Sequence, residues 1–187
     1  MFMLQTLSSN EMREAIMIAA EYDNTVQSPF EIRRQLLARS LTHLAGVEIS
    51  QFVGSTTLEA AFIDSICETI RDFKDGYQKV RSAPAEAKES AAQIYFSETL
   101  PPALCALDYI IKSRQSPDTT SEESFVVGKK ISLADIVIFL FLTDFFDNKQ
   151  LARNAYENCD VLKKIITNVG NLDTVKNWLL NRPETPF

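Results

Sequence analysis

Phe125-Val126-Val127-Gly128-Lys129-Lys130-Ile131-Ser132-Leu133-Ala134-Asp135-Ile136 is the stretch on which the fold reading turns. Ser132 and Asp135 stand at the spacing of a capping box, with Asp where Glu or Gln is usual. In such a box the serine oxygen accepts from the third backbone amide of a new helix, and the carboxylate reaches back to the amide of the cap. Ile131 and Ile136 flank it at the positions of a hydrophobic staple. The residues that follow, Ile136 to Phe146, are apolar nearly all round, which predicts the central buried helix of a bundle.

Working outward, the pattern is helical almost everywhere beyond Ser55, which is read as an N-cap. Leu58, Ala61, Phe62, Ile66, Ile70, Phe73, Tyr77 and Val80 recur at three- and four-residue steps and form one apolar face of a long helix over 55–80. A second long pattern runs from Ala85 to Lys112 through Ala91, Ile94, Tyr95, Leu104, Leu107, Ile110 and Ile111. Pro101-Pro102 should kink or split it. Ser113 to Ser124 is polar, carries Pro117 and reads as a loop. Val161, Leu162, Ile165, Ile166 and Val169 mark one later helix. Leu172, Val175, Trp178 and Leu179 mark another, ended by Arg182-Pro183, with Trp178 facing the core. Before Ser55 the pattern is less regular: Phe2 to Leu7 suits a short strand, and Asn10 to Tyr22 and Pro29 to Leu37 suit helices.

Composition agrees. The chain has 187 residues, 45% apolar and 24% charged, with only 5 Gly and 7 Pro. Such a chain buries a proper core and is short of the many tight turns of a sandwich or barrel. The net charge of −6 supplies no basic footprint for nucleic acid or an anionic membrane. The longest apolar run, Ile136 to Leu142, is far short of the roughly 20 residues that span a bilayer. Cys67, Cys105 and Cys159 are an odd number of scattered cysteines among apolar neighbours, which points to a reducing, cytoplasmic setting and core thiols, not to a disulfide framework or a zinc site. His43 is the sole histidine, so a histidine triad or a multi-histidine metal centre is not expected.

With these elements placed, the residues resemble a known family. FVVGKKISLADIVIF resembles the G-x-x-hydrophobic-[ST]-x-A-D motif of the cytosolic glutathione transferases. NLDTVKNWLLNRPETPF resembles their last helix and tail, and STTLEAAFIDSICETIRDF their first long helix. The three occur in order across 54–187, and the likeness is nearest to the sigma-like branch found in invertebrates. The resemblance implies a mostly α protein: an all-helical C-terminal domain over 54–187, preceded by a thioredoxin-like, glutathione-binding region over 1–53. A full β-α-β-α-β-β-α unit needs about 75–80 residues, so this region reads as shortened. MREAIMIAAEYDN resembles the family's first helix, SPFEIRRQLL its second and RSLTHLAG the start of its third. Leu37 runs almost directly into Arg39-Ser40, where the family has two strands and a cis-proline.

The site follows from the same likeness. The family's catalytic hydroxyl, a Tyr in the sigma-like branch and a Ser in some others, stabilises the thiolate of glutathione, and that thiolate is the nucleophile. No Tyr precedes Tyr22 here; Thr6 lies nearest the matching position, with Ser8 and Ser9 as substitutes. An aliphatic hydroxyl is a poorer donor than a phenol, so weak or absent activity is expected. Ser40, after Arg39, resembles the Ser that binds the γ-glutamyl carboxylate at a helix N-terminus; a plain helix cap is the alternative. Asp72 resembles the Asp that reaches across a homodimer to the γ-glutamyl ammonium. Its alternative is a solvated face, with Asp64, Glu68 and Asp72 at four-residue steps. Glutathione is the implied co-substrate and apolar electrophiles the implied partners, with their slot facing helix 55–80 and the Tyr95 neighbourhood. A non-catalytic binding or dimerisation module, or a trimmed form of a complete enzyme, fits the same residues.

Overall fold

The computed structural model describes residues 52–115 and 125–181. Seven α-helices and one π turn make up its regular structure: α1 Thr57–Arg81, α2 Ala85–Ile94, the π turn Tyr95–Thr99, α3 Leu100–Arg114, α4 Leu133–Thr143, α5 Lys149–Ala155, α6 Asp160–Asn171 and α7 Asp173–Asn181. The bundle is the helical domain that the sequence predicts. The strand and helices expected before residue 52, His43, and the stretch 116–124 lie outside the described residues.

Helix α4 is the centre. Ala134, Asp135, Ile136, Val137, Ile138, Phe139, Phe141 and Leu142 are all buried, because α1 packs on one side of α4 and α6 on the other. Burying one such aliphatic or aromatic side chain is worth about 1.5–3 kcal/mol, which gives this short helix its hold on its neighbours. Its capping box is present. The helix ends at Thr143, not at Phe146 as the apolar run suggests. The amides of Asp144 and Phe145 both turn back to the Leu140 carbonyl, at 2.9 and 3.0 Å, and Phe146 enters the core from outside the helix.

Helix α1 starts one residue later than expected. Thr56, not Ser55, is the N-cap: its hydroxyl accepts the Glu59 amide at 3.1 Å. The Glu59 carboxylate returns to the Thr56 amide at 3.2 Å and also takes the Ser55 amide at 2.6 Å. Gly54 just before it has φ +82, and a Cβ there would lie 2.7 Å from the Glu59 Cβ, so only glycine fits this entry. Further back, the Phe52 carbonyl accepts the Leu133 amide at 3.0 Å, tying the start of α1 to the start of α4. The buried face of α1 is Ile63, Ile66, Ile70, Tyr77 and Val80. Leu58 and Ala61, assigned to that face from their spacing, are exposed, as are Ile94 and Ile110 on the next helices.

The second long pattern is not broken at its prolines. The discontinuity is the π turn one residue upstream, after which Pro101 and Pro102 occupy the first turn of α3. Proline has no amide to give and its ring collides with the carbonyl four residues back. Widening the preceding turn moves those carbonyls away, and the Leu100 amide bonds to Tyr95 instead. Helix α3 then runs to Arg114, one residue beyond the expected start of the loop at Ser113. Helix α5 had no place in the sequence reading; Asn148 caps it, accepting the Gln150 and Leu151 amides at 3.1 and 3.0 Å. The last two helices fall where Val161 to Leu179 place them, with Trp178 packed against the core.

Candidate functional site

Of the residues singled out for chemistry, Thr6, Ser8, Ser9, Arg39 and Ser40 lie outside the described residues. Asp72 is described, and it is exposed on α1. The helical period sets it opposite the buried Ile63, Ile66, Ile70 stripe, so its carboxylate sits on the outward face. Ser65 and Thr69, which share that face, return their hydroxyls to the helix's own carbonyls of Phe62 and Ser65, at 2.7 and 2.8 Å. The like-charge spacing of Asp64, Glu68 and Asp72 is relieved by Arg71, whose guanidinium lies 2.6 Å from the Glu68 carboxylate. Arg114 of α3 stacks over Phe62 at 5.0 Å.

The Tyr95 neighbourhood is core rather than the wall of a slot. Tyr95 is 5% exposed, and its hydroxyl donates to the Phe73 carbonyl at 2.8 Å. The π turn swings Tyr95 and Phe96 inward together onto Tyr77, with ring centroids 5.3 and 5.5 Å away. Phe146 closes the cluster 5.1 Å from Phe96. Burial pushes the Tyr95 phenol well above its ordinary range. Burial, and then Asp147, also raise the Tyr77 phenol, whose hydroxyl faces the Asp147 carboxylate at 3.4 Å. Arg81 lies over the Tyr77 and Phe145 rings and donates to the Phe145 carbonyl at 2.9 Å. A phenol so placed is a packing group and not a donor to a thiolate.

Among the described carboxyls, Asp135 is strongly perturbed. It is fully buried, and desolvation pushes its carboxyl up to about 6, against the pull of its hydrogen bonds. Those bonds come from the Ser132 hydroxyl at 2.6 Å, the Val126 amide at 2.7 Å and the Ser132 amide at 2.8 Å. With every donor drawn from the loop entering α4, Asp135 is a keystone of structure rather than a catalytic acid.

The cysteines divide. Cys67 and Cys159 are buried, and desolvation raises both thiols, Cys159 to about 12. Cys105 corrects the expectation of three core thiols, since it is exposed. The buried stripe of α3 is Leu100, Leu104, Leu107 and Ile111, and a residue next to Leu104 stands about 100° off it; that offset was the available signal. Among the described residues no group of His, Cys, Asp and Glu could hold a metal ion.

Comparison with known proteins places this bundle. The profile of the glutathione S-transferase C-terminal domain matches residues 71–182. The chain belongs to that family. Glutathione S-transferase 3 of Caenorhabditis elegans is 28% identical over 138 residues, which are 73% of this chain and 63% of the relative. Glutathione S-transferase A of Cavia porcellus is 30% identical over 128 residues, 67% of this chain and 53% of the relative. The chain thus matches between half and two thirds of the length of these transferases. The same fold occurs in the pi-class glutathione S-transferase of Onchocerca volvulus, with TM-score 0.60 and 23% identity over 78% of this chain and 64% of that one. It occurs also in prostaglandin synthase D of Nilaparvata lugens, with TM-score 0.61 and 23% identity over 81% and 68%. Helices α1, α4 and α7 of this bundle lie where the three sequence motifs place them. No helix among the described residues is long and apolar enough to cross a membrane.

Proposed function

We propose that this protein is a cytosolic, sigma-like glutathione-transferase relative that binds glutathione as a homodimer and conjugates it to apolar electrophiles weakly or not at all. In this reading residues 1–53 supply a thioredoxin-like half-site, with Ser40 and Arg39 at the γ-glutamyl carboxylate and Thr6, Ser8 or Ser9 in place of the usual phenol. Residues 54–187 supply the scaffold. The observation that carries the reading is the outward Asp72 on α1, in a bundle of the transferase family. A carboxylate held clear of its own bundle is available to an ammonium group across a two-fold axis, where each protomer completes the other's site.

Retention of the full chain on immobilised glutathione tests it, with elution by free glutathione. Asp72→Asn should weaken retention about tenfold, the loss of one charge-assisted contact, and light scattering should return a dimer mass. A monomer, or a chain that passes through the column, would sink the reading. Conjugation of a generic electrophile should run about a hundredfold or more below a complete relative, the usual worth of one preorganised donor.

The closed Tyr95, Tyr77, Phe96 and Phe146 cluster favours a second reading, a binding or dimerisation module without chemistry. Dimerisation without glutathione retention would select it.

A further inference from the structure

The Cys105 sulfur of α3 lies 3.8 Å from the Cys159 sulfur at the start of α6. One turn further along both helices, the Asp108 carboxylate accepts the Leu162 amide at 2.9 Å. The two ties share the same 54-residue offset, so α3 and α6 are docked in register at this point and the sulfur contact is held by more than itself. The two cysteines differ in access: Cys105 is exposed and Cys159 is 0% exposed. To bond, the sulfurs must close from 3.8 Å to about 2 Å.

We infer that Cys105 and Cys159 form a two-cysteine modification site that a hydroperoxide converts into a disulfide joining α3 to α6. The exposed Cys105 meets the oxidant first. Its thiolate attacks one peroxide oxygen, the O–O bond breaks, and the departing hydroxide takes a proton from solvent, leaving Cys105 as a sulfenic acid. The Cys159 sulfur then attacks the Cys105 sulfur. The S–O bond breaks, and the hydroxyl leaves as water with the Cys159 proton. Two thiols and one hydrogen peroxide become one disulfide and two waters, the sulfur pair giving up two electrons.

Burial suits Cys159 to the second role. Desolvation, with the Cys105 sulfur and the Asp108 carboxylate beside it, outweighs the pull of Lys163 and keeps its thiol protonated at neutral pH. Being buried, it is screened from peroxide in solvent, and it waits 3.8 Å from the exposed Cys105 sulfur, where its proton can pass to the departing hydroxyl as the S–S bond forms. Cys67 has no such neighbour among the described cysteines and stays reduced.

Treatment of the full chain with a few equivalents of hydrogen peroxide, followed by intact mass and non-reducing peptide mapping, tests the proposal. The expected result is a mass lower by two hydrogens, a peptide linking Cys105 to Cys159, Cys67 still open to alkylation after unfolding, and full reversal by dithiothreitol. The oxidised chain should melt about 10 °C higher than the reduced one, because the bridge closes a loop of more than fifty residues. Cys159→Ser should stop at a sulfenic acid on Cys105 that dimedone traps, and Cys105→Ser should leave Cys159 reduced. The wild-type map decides the matter if either variant fails to fold. Cys105 gaining two or three oxygens while Cys159 remains a thiol would overturn the proposal, as would Cys105 bridged to Cys105 between chains.

Discussion

Helices α4 and α6 begin in opposite ways. The first turn of α4 is closed from within, by Ser132 and by Asp135, which takes the cap's own amide at 2.8 Å. The first turn of α6 has Cys159 at the cap position, which makes no side-chain capping bond. The acceptor for its Leu162 amide comes from Asp108, on another helix and 54 residues earlier. Unpaired amides at a helix start need an acceptor wherever they are. A buried start such as that of α4 carries its own, and the start of α6 borrows one from the helix it docks on. The α4 cap therefore exists as soon as one turn forms, and the α6 cap exists only after α3 and α6 have met.

The largest expected effect probes the self-supplied cap. Asp135→Ala should destabilise the bundle by about 3–5 kcal/mol, since two amides and a hydroxyl lose their acceptor in a dry site. Urea unfolding measures it, and a loss under about 1 kcal/mol would erase the contrast between the two starts.

A pH titration sharpens the same point. Burial lifts the Asp135 carboxyl from 3.8 to about 6, so between those values the folded chain keeps a proton that the unfolded chain has released. Stability from this group is therefore greatest below about pH 4 and declines as pH rises through 6. Relative to Asp135→Asn, the wild type should lose on the order of 2–3 kcal/mol between pH 4 and 7. A flat difference across that range would show a carboxyl that is not desolvated. Removing the side chain still costs more than ionising it, because the donors around it have no other acceptor. The capping box of α1 carries the opposite sign. Hydrogen bonds from Ser55 hold the Glu59 carboxyl below its ordinary value, so its contribution is present at neutral pH and is lost on acidification.

The borrowed cap should yield less. Asp108→Ala is expected to cost about 1–2 kcal/mol and to speed hydrogen exchange at the Leu162 amide while leaving Ser132 and Val126 protected. Unchanged exchange at Leu162 would remove the tertiary cap from the account. The smallest effect belongs to Thr56→Ala, about 1 kcal/mol, because the start of α1 is exposed and water replaces the lost hydroxyl.

What could be read in advance follows the same division. The Ser132–Asp135 spacing, the three-and-four period of Leu58 to Val80 and the apolar positions of Val161 to Leu179 depend on neighbours within two turns, and they predicted α4, α1, α6 and α7 along with the family motifs. Three of the differences show why the rest was not legible. Ser55 and Thr56 are both capable caps, and Gly54 with its positive φ decides which one faces the Glu59 amide. Pro101-Pro102 was a correct sign of trouble in the helix, but the strain is relieved upstream at Tyr95–Thr99. Leu58, Ile94 and Ile110 sit at apolar spacing on helices whose buried stripe is narrower than that spacing allows. Of the candidate site, Asp72 alone could be placed, and the outward position found for it is the one that the helical period sets.

By itself, then, the sequence determined where α4 starts, because its cap is local, how α4 comes to be buried all round, and the family to which the bundle belongs. These follow from hydrogen bonds and side-chain periods that close within a few residues of one another. Only the tertiary structure decided that Asp108 caps α6, that Tyr95 turns into the core, and that Cys105 meets Cys159. Each of these joins groups far apart in the chain, and nothing at either position specifies the partner until α4 has drawn α1 and α6 onto its two sides.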